Sequence, residues 1–192
     1  MAGLDASHKP ALRAETRERR RIMTQDERAH AATGLTEQLL NLTRELGAAT
    51  IGCYLSTIDE PPTRDFVEQA LSAGIDVLLP ISREDGLLDW ARFDQGGEDL
   101  DVLGMPVPTS ELLGPMAVDS ADLLLIPAAL VDTAGNRMGW GRGYFDRTLG
   151  SMGHRPPVFA VVYNHEVVDE VPTEAHDQGV DGVVTPDGII RF

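Results

Sequence analysis

Residues 123–131 read LLLIPAALV, and residues 132–147 continue as DTAGNRMGWGRGYFDR. The first stretch is almost continuously apolar, which is typical of a central strand covered on both faces. The second stretch is rich in glycine and leads into a helix that we predict at 144–152. In α/β sheets, ligands bind beyond the carboxyl ends of the strands, where such loops meet helices. The two stretches together therefore predict an α/β fold with a candidate site after this strand.

Other short apolar stretches alternate with helical ones along the chain. Further strands are predicted at 50–56, 75–81, 158–163, 180–185 and 189–192, an edge strand at 87–93, and helices at 8–22, 24–47 and 63–72. Thr24 and Glu27 have the spacing of a capping box, and Gly47 is a helix-ending residue. This alternation predicts a three-layer α/β/α sandwich with a largely parallel central sheet. We expect residues 1–192 to form a single domain.

The composition excludes several classes of protein. The 192 residues contain 31 acidic and 16 basic side chains, a formal net charge of -15, so nucleic acid and anionic membranes are not expected partners. A single cysteine, Cys53, allows no intrachain disulfide and no cysteine-rich zinc site, and it is expected in the core. Residues 1–23 lack the apolar segment of a secretory signal. We expect a cytoplasmic monomer that acts on small molecules.

The glycine-rich stretch has the composition of an anion-binding loop. Gly139, Gly141 and Gly143 alternate ahead of the predicted helix, where exposed backbone N–H groups can bind phosphate. Arg137 and Arg142 add charged donors, and the neighbouring Asp146 suits Mg²⁺ that accompanies the phosphates. Alternating glycines also occur in plain tight turns, and the spacing fits neither the Rossmann nor the P-loop motif. From these residues alone, both interpretations stay open.

The order of residues in this stretch carries a family resemblance. The series Asp132, Gly135, Arg137, Gly139, Gly141, Gly143, Tyr144, Phe145, Asp146 resembles the signature of the 5-formyltetrahydrofolate cyclo-ligase (5,10-methenyltetrahydrofolate synthetase) family. The resemblance extends over nearly the whole chain, with further matches at Lys9, Arg13, residues 54–56, Glu60, Thr63, residues 176–177 and residues 180–181. Two positions depart from it, since Phe145 replaces the usual second tyrosine and Val107 stands where a glutamate is common.

The resemblance implies an activity. Enzymes of this family use Mg-ATP to convert 5-formyltetrahydrofolate into 5,10-methenyltetrahydrofolate, releasing ADP and phosphate. The formyl oxygen is a poor leaving group until it is phosphorylated, after which nitrogen 10 attacks the activated carbon. Such a reaction needs positioning and charge neutralisation more than a nucleophile on the protein. The sequence is consistent with this, because it shows no evident Ser-His-Asp triad or cysteine nucleophile motif.

The resemblance also implies the roles of particular residues. The ATP-binding set is Lys9, Arg13, Arg137, Gly139, Trp140, Gly141, Arg142, Gly143, Tyr144 and Phe145. The folate-binding set is Leu55, Glu60, Trp140 and Tyr144; Asp146 and Asp177 are the Mg²⁺ ligands, and Arg13, Arg142 and Tyr144 are the catalytic candidates. Lys9 is the only lysine in the sequence, and we expect it to be exposed.

Several residues and the activity itself have alternative interpretations. Glu60 could be a solvent-facing turn residue and Asp177 a solvated acid. The arginines at 17 and 19–21 are expected to form a solvated helix face. The five histidines are expected to have structural or surface roles. A second hypothesis is a non-catalytic nucleotide- or folate-binding module. A third, a phosphosugar isomerase or acyl-CoA transferase-like enzyme, depends on fold analogy alone.

Overall fold

The structure, a computed structural model, describes residues 5–192. The helices are α1 Lys9–Arg21, α2 Gln25–Leu46, α3 Arg64–Ser72 and α4 Tyr144–Ser151. The strands are β1 Thr50–Gly52, β2 Asp76–Ser82, β3 Leu88–Arg92, β4 Glu98–Leu100, β5 Pro106–Pro108, β6 Leu123–Pro127, β7 Leu130–Asp132, β8 Arg137–Met138, β9 Val158–Val161, β10 Val167–Val168, β11 Gly182–Thr185 and β12 Gly188–Arg191. The first four residues, which belong to the segment read for a secretory signal, lie outside the described residues.

A seven-stranded sheet forms the centre of the molecule, with the order β12-β11-β9-β6-β1-β2-β3. The five inner strands pair in parallel, and the edge strands β3 and β12 run antiparallel to their neighbours. Successive residues of β6 point to opposite faces. Leu123 and Leu125 pack into the core beneath α2 and α3, whereas Leu124 and Ile126 pack with Leu149 of α4 on the other face. The predicted three-layer sandwich is confirmed.

The predicted signals for the boundaries of α2 are confirmed. The Thr24 side chain accepts a hydrogen bond from the Glu27 N–H while the Glu27 carboxylate accepts one from the Thr24 N–H, so both members of the capping box are formed. Gly47 follows the helix with a φ of 62°, a left-handed conformation that glycine adopts without a steric penalty. Among residues 5–192, no helix is both long and apolar enough to cross a bilayer.

The predicted strand at 123–131 is two strands in two different sheets. β6 ends at Pro127, and β7 pairs with β8 and β10 in a separate three-stranded sheet. Proline has no N–H to donate to a sheet ladder, which accounts for the end of β6 at this point. Hydrophobicity alone did not reveal the break because Ala128 and Ala129 between the strands are also fully buried. The strand predicted at 50–56 likewise ends early, at Gly52.

Helix α1 packs across the ends of the parallel strands with a polar face. Its buried residues are Lys9, Thr16 and Arg20. Arg20 bonds to the carbonyl of Ala128, just after β6, and to Glu166, just after β9. Since both partners follow carboxyl ends of strands, α1 covers the edge of the sheet where α/β proteins bind ligands.

Candidate functional site

The glycine-rich loop between β8 and α4 closes against α1. The Arg13 Nε donates to the Gly139 carbonyl at 2.8 Å. Gly141 has a φ of 93°, and a Cβ placed on it would lie 3.1 Å from the Arg13 guanidinium carbon. Any other residue at this position would therefore be strained in its backbone and crowded against Arg13. These contacts show that the loop is packed against α1 and is not an isolated tight turn.

Two cavities meet at this loop. One, of about 660 Å³, has many apolar residues in its wall and is called the apolar cavity below. The other, of about 810 Å³, has mostly charged and glycine residues and is called the charged cavity. Gly139, Arg142, Gly143 and Asp146 line both cavities. The loop therefore stands between two spaces, each of which can hold a ligand of a different chemical character.

The apolar cavity contains the whole predicted folate set. Leu55, Glu60, Trp140 and Tyr144 line it, together with Leu88, Leu103, Met105 and Phe145. The Glu60 carboxylate accepts hydrogen bonds from the N–H and hydroxyl of Thr57 at 2.9 and 3.1 Å. Burial raises the pKa of the Glu60 carboxyl above its ordinary value. Glu60 is therefore a half-buried acceptor in the cavity wall rather than a solvent-facing turn residue.

The charged cavity contains Lys9 in a position that we did not expect. Lys9 is only 5% exposed, and its Nζ donates to Glu174 at 2.8 Å and to Asp177 at 2.7 Å. The predicted exposure of Lys9 is wrong because α1 packs this residue against the loop that holds both acids. Burial alone lowers the pKa of the Lys9 ammonium, but the hydrogen bonds with Asp177 and Glu174 raise it overall. The ammonium therefore stays charged in the cavity wall.

Both predicted metal ligands line the charged cavity, but their carboxylates have different partners. The Asp146 Oδ1 accepts from Arg137 at 2.5 Å and from the Gln178 N–H at 3.1 Å. Asp177 shares Lys9 with Glu174, and within residues 5–192 the clustered group with ligand atoms less than 4.8 Å apart is Glu174, His176 and Asp177. Asp146 is not part of this group. Asp177 is half-buried and paired, so it is not the freely solvated acid of the alternative interpretation.

Arg20 and Glu166 form a buried ion pair that we did not predict. Their side chains are 1% and 0% exposed, so the expectation of a solvated arginine face is wrong for Arg20. Arg17 does remain exposed, and its guanidinium lies 5.1 Å from the centroid of the Trp140 ring. One signal was available in the sequence, because Lys9, Arg13, Thr16 and Arg20 recur at intervals of three and four residues. This is the spacing of one helix face.

Every predicted site residue lines one or both cavities. The structure nevertheless divides the predicted ATP set between them. Lys9, Arg13 and Gly141 line the charged cavity, and Gly139, Arg142 and Gly143 line both. Arg137, Trp140, Tyr144 and Phe145 line the apolar cavity. Val107 is buried in β5 and is absent from both walls.

Comparisons with known proteins agree with this fold. The sequence model of the 5-formyltetrahydrofolate cyclo-ligase family matches residues 5–186. The chain is 32% identical to the 5-formyltetrahydrofolate cyclo-ligase of Mycolicibacterium smegmatis over 93% of both chains, and 26% identical to that of Escherichia coli K12 over 88% of this chain and 96% of the relative.

Two solved structures share the fold. A 5,10-methenyltetrahydrofolate synthetase from Aquifex aeolicus gives a TM-score of 0.80 at 22% identity, covering 96% of this chain and 92% of that one. The synthetase from Mycoplasma pneumoniae gives 0.72 at 21% identity, covering 92% and 97%. With a family match over almost its full length, the chain belongs to the 5-formyltetrahydrofolate cyclo-ligase family.

Proposed function

We propose that this chain catalyses the ATP-dependent cyclisation of 5-formyltetrahydrofolate to 5,10-methenyltetrahydrofolate, with release of ADP and phosphate. The single observation that carries the proposal is the meeting of an apolar and a charged cavity at one glycine loop. The folate ring system, with hydrogen-bonding groups on its edge, would fit the first cavity, whose wall combines apolar and aromatic side chains with Glu60, and a triphosphate would fit the second. The reacting groups would then meet at Gly139, Arg142, Gly143 and Asp146.

The reaction needs two displacement steps. The formyl oxygen attacks the γ-phosphorus of ATP, so that an O–P bond forms, the bond to the bridging oxygen breaks and ADP leaves. Nitrogen 10 then attacks the activated formyl carbon, the C–N bond forms, and the phosphate departs while nitrogen 10 loses its proton. Phosphoryl transfer of this kind depends on alignment and on neutralising charge on the phosphoryl oxygens.

Arginines and backbone N–H groups supply that neutralisation. Arg13 and Arg142 line the charged cavity beside the loop, where their guanidinium groups would contact the phosphates. Lys9 adds a further positive charge, which its two carboxylate partners hold in place. In the apolar cavity, Tyr144 is fixed by the hydrogen bond from its hydroxyl to the Arg83 carbonyl at 2.7 Å. Leu55 and Trp140 complete the wall around the ring, and Glu60 would accept its N–H groups.

The acids of the charged cavity fit Mg²⁺. Of the hydrogen bonds formed within residues 5–192, those to Asp146 use Oδ1 and those to Asp177 use Oδ2. Asp146 thus keeps Oδ2, and Asp177 keeps Oδ1, which lies 3.6 Å from the His176 Nε2, for a hard cation, which takes oxygen ligands. The ion would neutralise charge on the phosphate oxygens. The protein would hold the two carboxylates in place. Arg137 and the Gln178 N–H bind Asp146, and Lys9 binds Asp177.

Purified protein tests the proposal directly. With Mg²⁺, ATP and 5-formyltetrahydrofolate, we expect one ADP per molecule of methenyl product, followed through the product's absorbance. Absence of turnover would overturn the proposal, and calorimetric binding of both ligands without turnover would favour the binding module. Conversion of a sugar phosphate without ATP would favour the isomerase-like alternative. The family assignment favours the ligase over both, while the monomeric state, the cytoplasmic location and the single domain stay predictions.

A further inference from the structure

Buried side-chain donors without a partner are concentrated at the apolar cavity. Within residues 5–192, four buried side-chain nitrogens take part in no hydrogen bond: Arg20 Nη1, Trp90 Nε1, Arg137 Nε and Trp140 Nε1. Three of these four residues line the apolar cavity. Because a buried donor is unfavourable when it is left unpaired, such a concentration points to a ligand that brings hydrogen-bond acceptors.

Arg20 is the most firmly held of the three residues. Its Nε and Nη2 donate to the two Glu166 oxygens at 2.7 and 2.9 Å, and Nη2 also donates to the Ala128 carbonyl at 2.8 Å. The guanidinium carbon lies 4.9 Å from the centroid of the Trp140 ring and 5.7 Å from that of the Tyr163 ring. With one edge bonded and aromatic rings beside it, the guanidinium has a fixed orientation. Its Nη1 is the one guanidinium nitrogen that takes part in no hydrogen bond.

Glu60 is close to Arg20 in the same cavity wall. Both residues line the apolar cavity, and the positive charge of Arg20 partly offsets the rise that burial causes in the pKa of Glu60. The wall therefore presents an acceptor and a donor near each other. A pterin ring has the complementary pattern on one edge, where a 2-amino group and the N3–H are followed by the carbonyl at position 4.

We propose that Arg20 determines the specificity of this cavity by donating a hydrogen bond from Nη1 to the ring carbonyl of the bound pterin. This inference rests on the proposed function, which assigns the folate to the apolar cavity. The Glu60 carboxylate would accept hydrogen bonds from the 2-amino group and the N3–H. Arg20 would donate to the carbonyl at position 4, which is the next group along the ring edge. Glu166 is a positioning residue here, because it orients the guanidinium and balances its charge within the buried wall.

The test compares two ligands that differ only at the ring carbonyl. The probes are 5-formyltetrahydrofolate and its 4-thio analogue, which keeps the 2-amino group and the N3–H and replaces the carbonyl oxygen by sulfur, a weaker hydrogen-bond acceptor. We expect calorimetry on the wild-type protein to show about ten- to hundredfold tighter binding of the natural ring, the range for a hydrogen bond to a charged group. In the double variant Arg20→Met/Glu166→Gln, we expect this preference to fall to about threefold or less. Removing both charges together avoids leaving a lone buried carboxylate.

Two further variants keep the test independent of folding. Arg20→Lys retains the positive charge next to Glu166 but offers one ammonium for both partners, and we expect it to lose the preference as well. Arg17→Lys is the matched control, since Arg17 lies over the same indole ring but is exposed, and the preference should persist.

Specific outcomes would overturn the inference. The inference is wrong if the folded double variant or the Arg20→Lys variant keeps the wild-type ligand preference. It is also wrong if the wild-type protein binds both ligands equally. Absence of turnover of 5-formyltetrahydrofolate by the wild type would instead refute the proposed function. Because turnover and ligand preference are measured separately, the two failures are distinguishable.

Discussion

Glu60 is an acid whose surroundings oppose its ionisation. Its pKa is raised above 4.5 by burial, so between 4.5 and the raised value the folded protein binds more protons than the unfolded chain. Stability contributed by this residue therefore falls as the pH rises through that window. Below pH 4.5, Glu60 is protonated in both the folded and the unfolded protein, so burial of a charge costs no stability. Above the raised pKa, Glu60 is ionised in both states, and the full cost of burying its charge lowers the stability.

The variant Glu60→Gln tests this sign. Glutamine carries no charge, so we expect the free energy of unfolding of the variant, relative to wild type, to increase as the pH rises from below 4.5 to neutral. Urea denaturation at a series of pH values measures it. At neutral pH the same variant should bind folate more weakly, because a neutral amide is a poorer acceptor than a carboxylate. A relative stability that is constant or falls with rising pH would contradict this account of Glu60.

Asp146 is the acid shared by both cavities. In Asp146→Asn, the pair with Arg137 is weakened and one negative charge is lost. We expect kcat/KM for ATP to fall at least about tenfold and the Mg²⁺ concentration for half-maximal activity to rise, with a smaller change in the KM for folate. The control Asp169→Asn makes the same charge change at an exposed position outside both cavities. Equal Mg²⁺ dependence in the two variants would refute the assignment of Asp146.

The glycine-rich loop is the element that lines both cavities. We expect Gly141→Ala to destabilise the protein by about 1–3 kcal/mol, because an alanine is strained at this positive φ, and to lower kcat/KM for ATP by displacing Arg13. Gly153→Ala is the matched control, since no atom lies within 4 Å of its Cβ position and its φ is not in the left-handed range. Denaturation and steady-state kinetics measure both effects. If the two variants have the same stability and the same kcat/KM for ATP, position 141 does not require glycine.

The elements themselves were largely predictable from the sequence, for local reasons. The capping box at Thr24 and the left-handed Gly47 are determined by neighbouring residues, and the apolar run of β6 is a direct consequence of burial on both faces. The break after Pro127 was not predicted, because the residues that follow are equally apolar and only their pairing with β8 and β10 distinguishes them. The strand that follows β6 therefore depends on pairing with β8, which lies a few residues later, and with β10, which lies more than 30 residues later.

At the scale of the whole molecule, the buried charges escaped prediction. Lys9 is neutralised by Glu174 and Asp177, more than 160 residues away, and Arg20 by Glu166, 146 residues away. A charged residue is buried only where such partners compensate it. A helix sequence therefore does not reveal which of its arginines are buried until the partner loops are in place. The residues predicted from the family signature all line the two cavities, but the signature did not reveal how they are divided between them.

The overall charge gives this division a physical consequence. A protein with a formal net charge of -15 repels ATP over most of its surface. The charged cavity is less negative than the molecule as a whole, because Arg13, Arg142 and Arg147 line it and Lys9 offsets the charge of Glu174 and Asp177 there. The triphosphate is therefore expected to bind at this face, against the loop whose other side lines the apolar cavity proposed for the folate.

We propose that the loop brings the formyl oxygen to the γ-phosphorus of ATP. The most direct measurement uses 5-formyltetrahydrofolate labelled with ¹⁸O in the formyl group and follows the label by mass spectrometry of the released phosphate. The account predicts one labelled oxygen in each phosphate for every methenyl product formed. Unlabelled phosphate, with the label released into water, would contradict it.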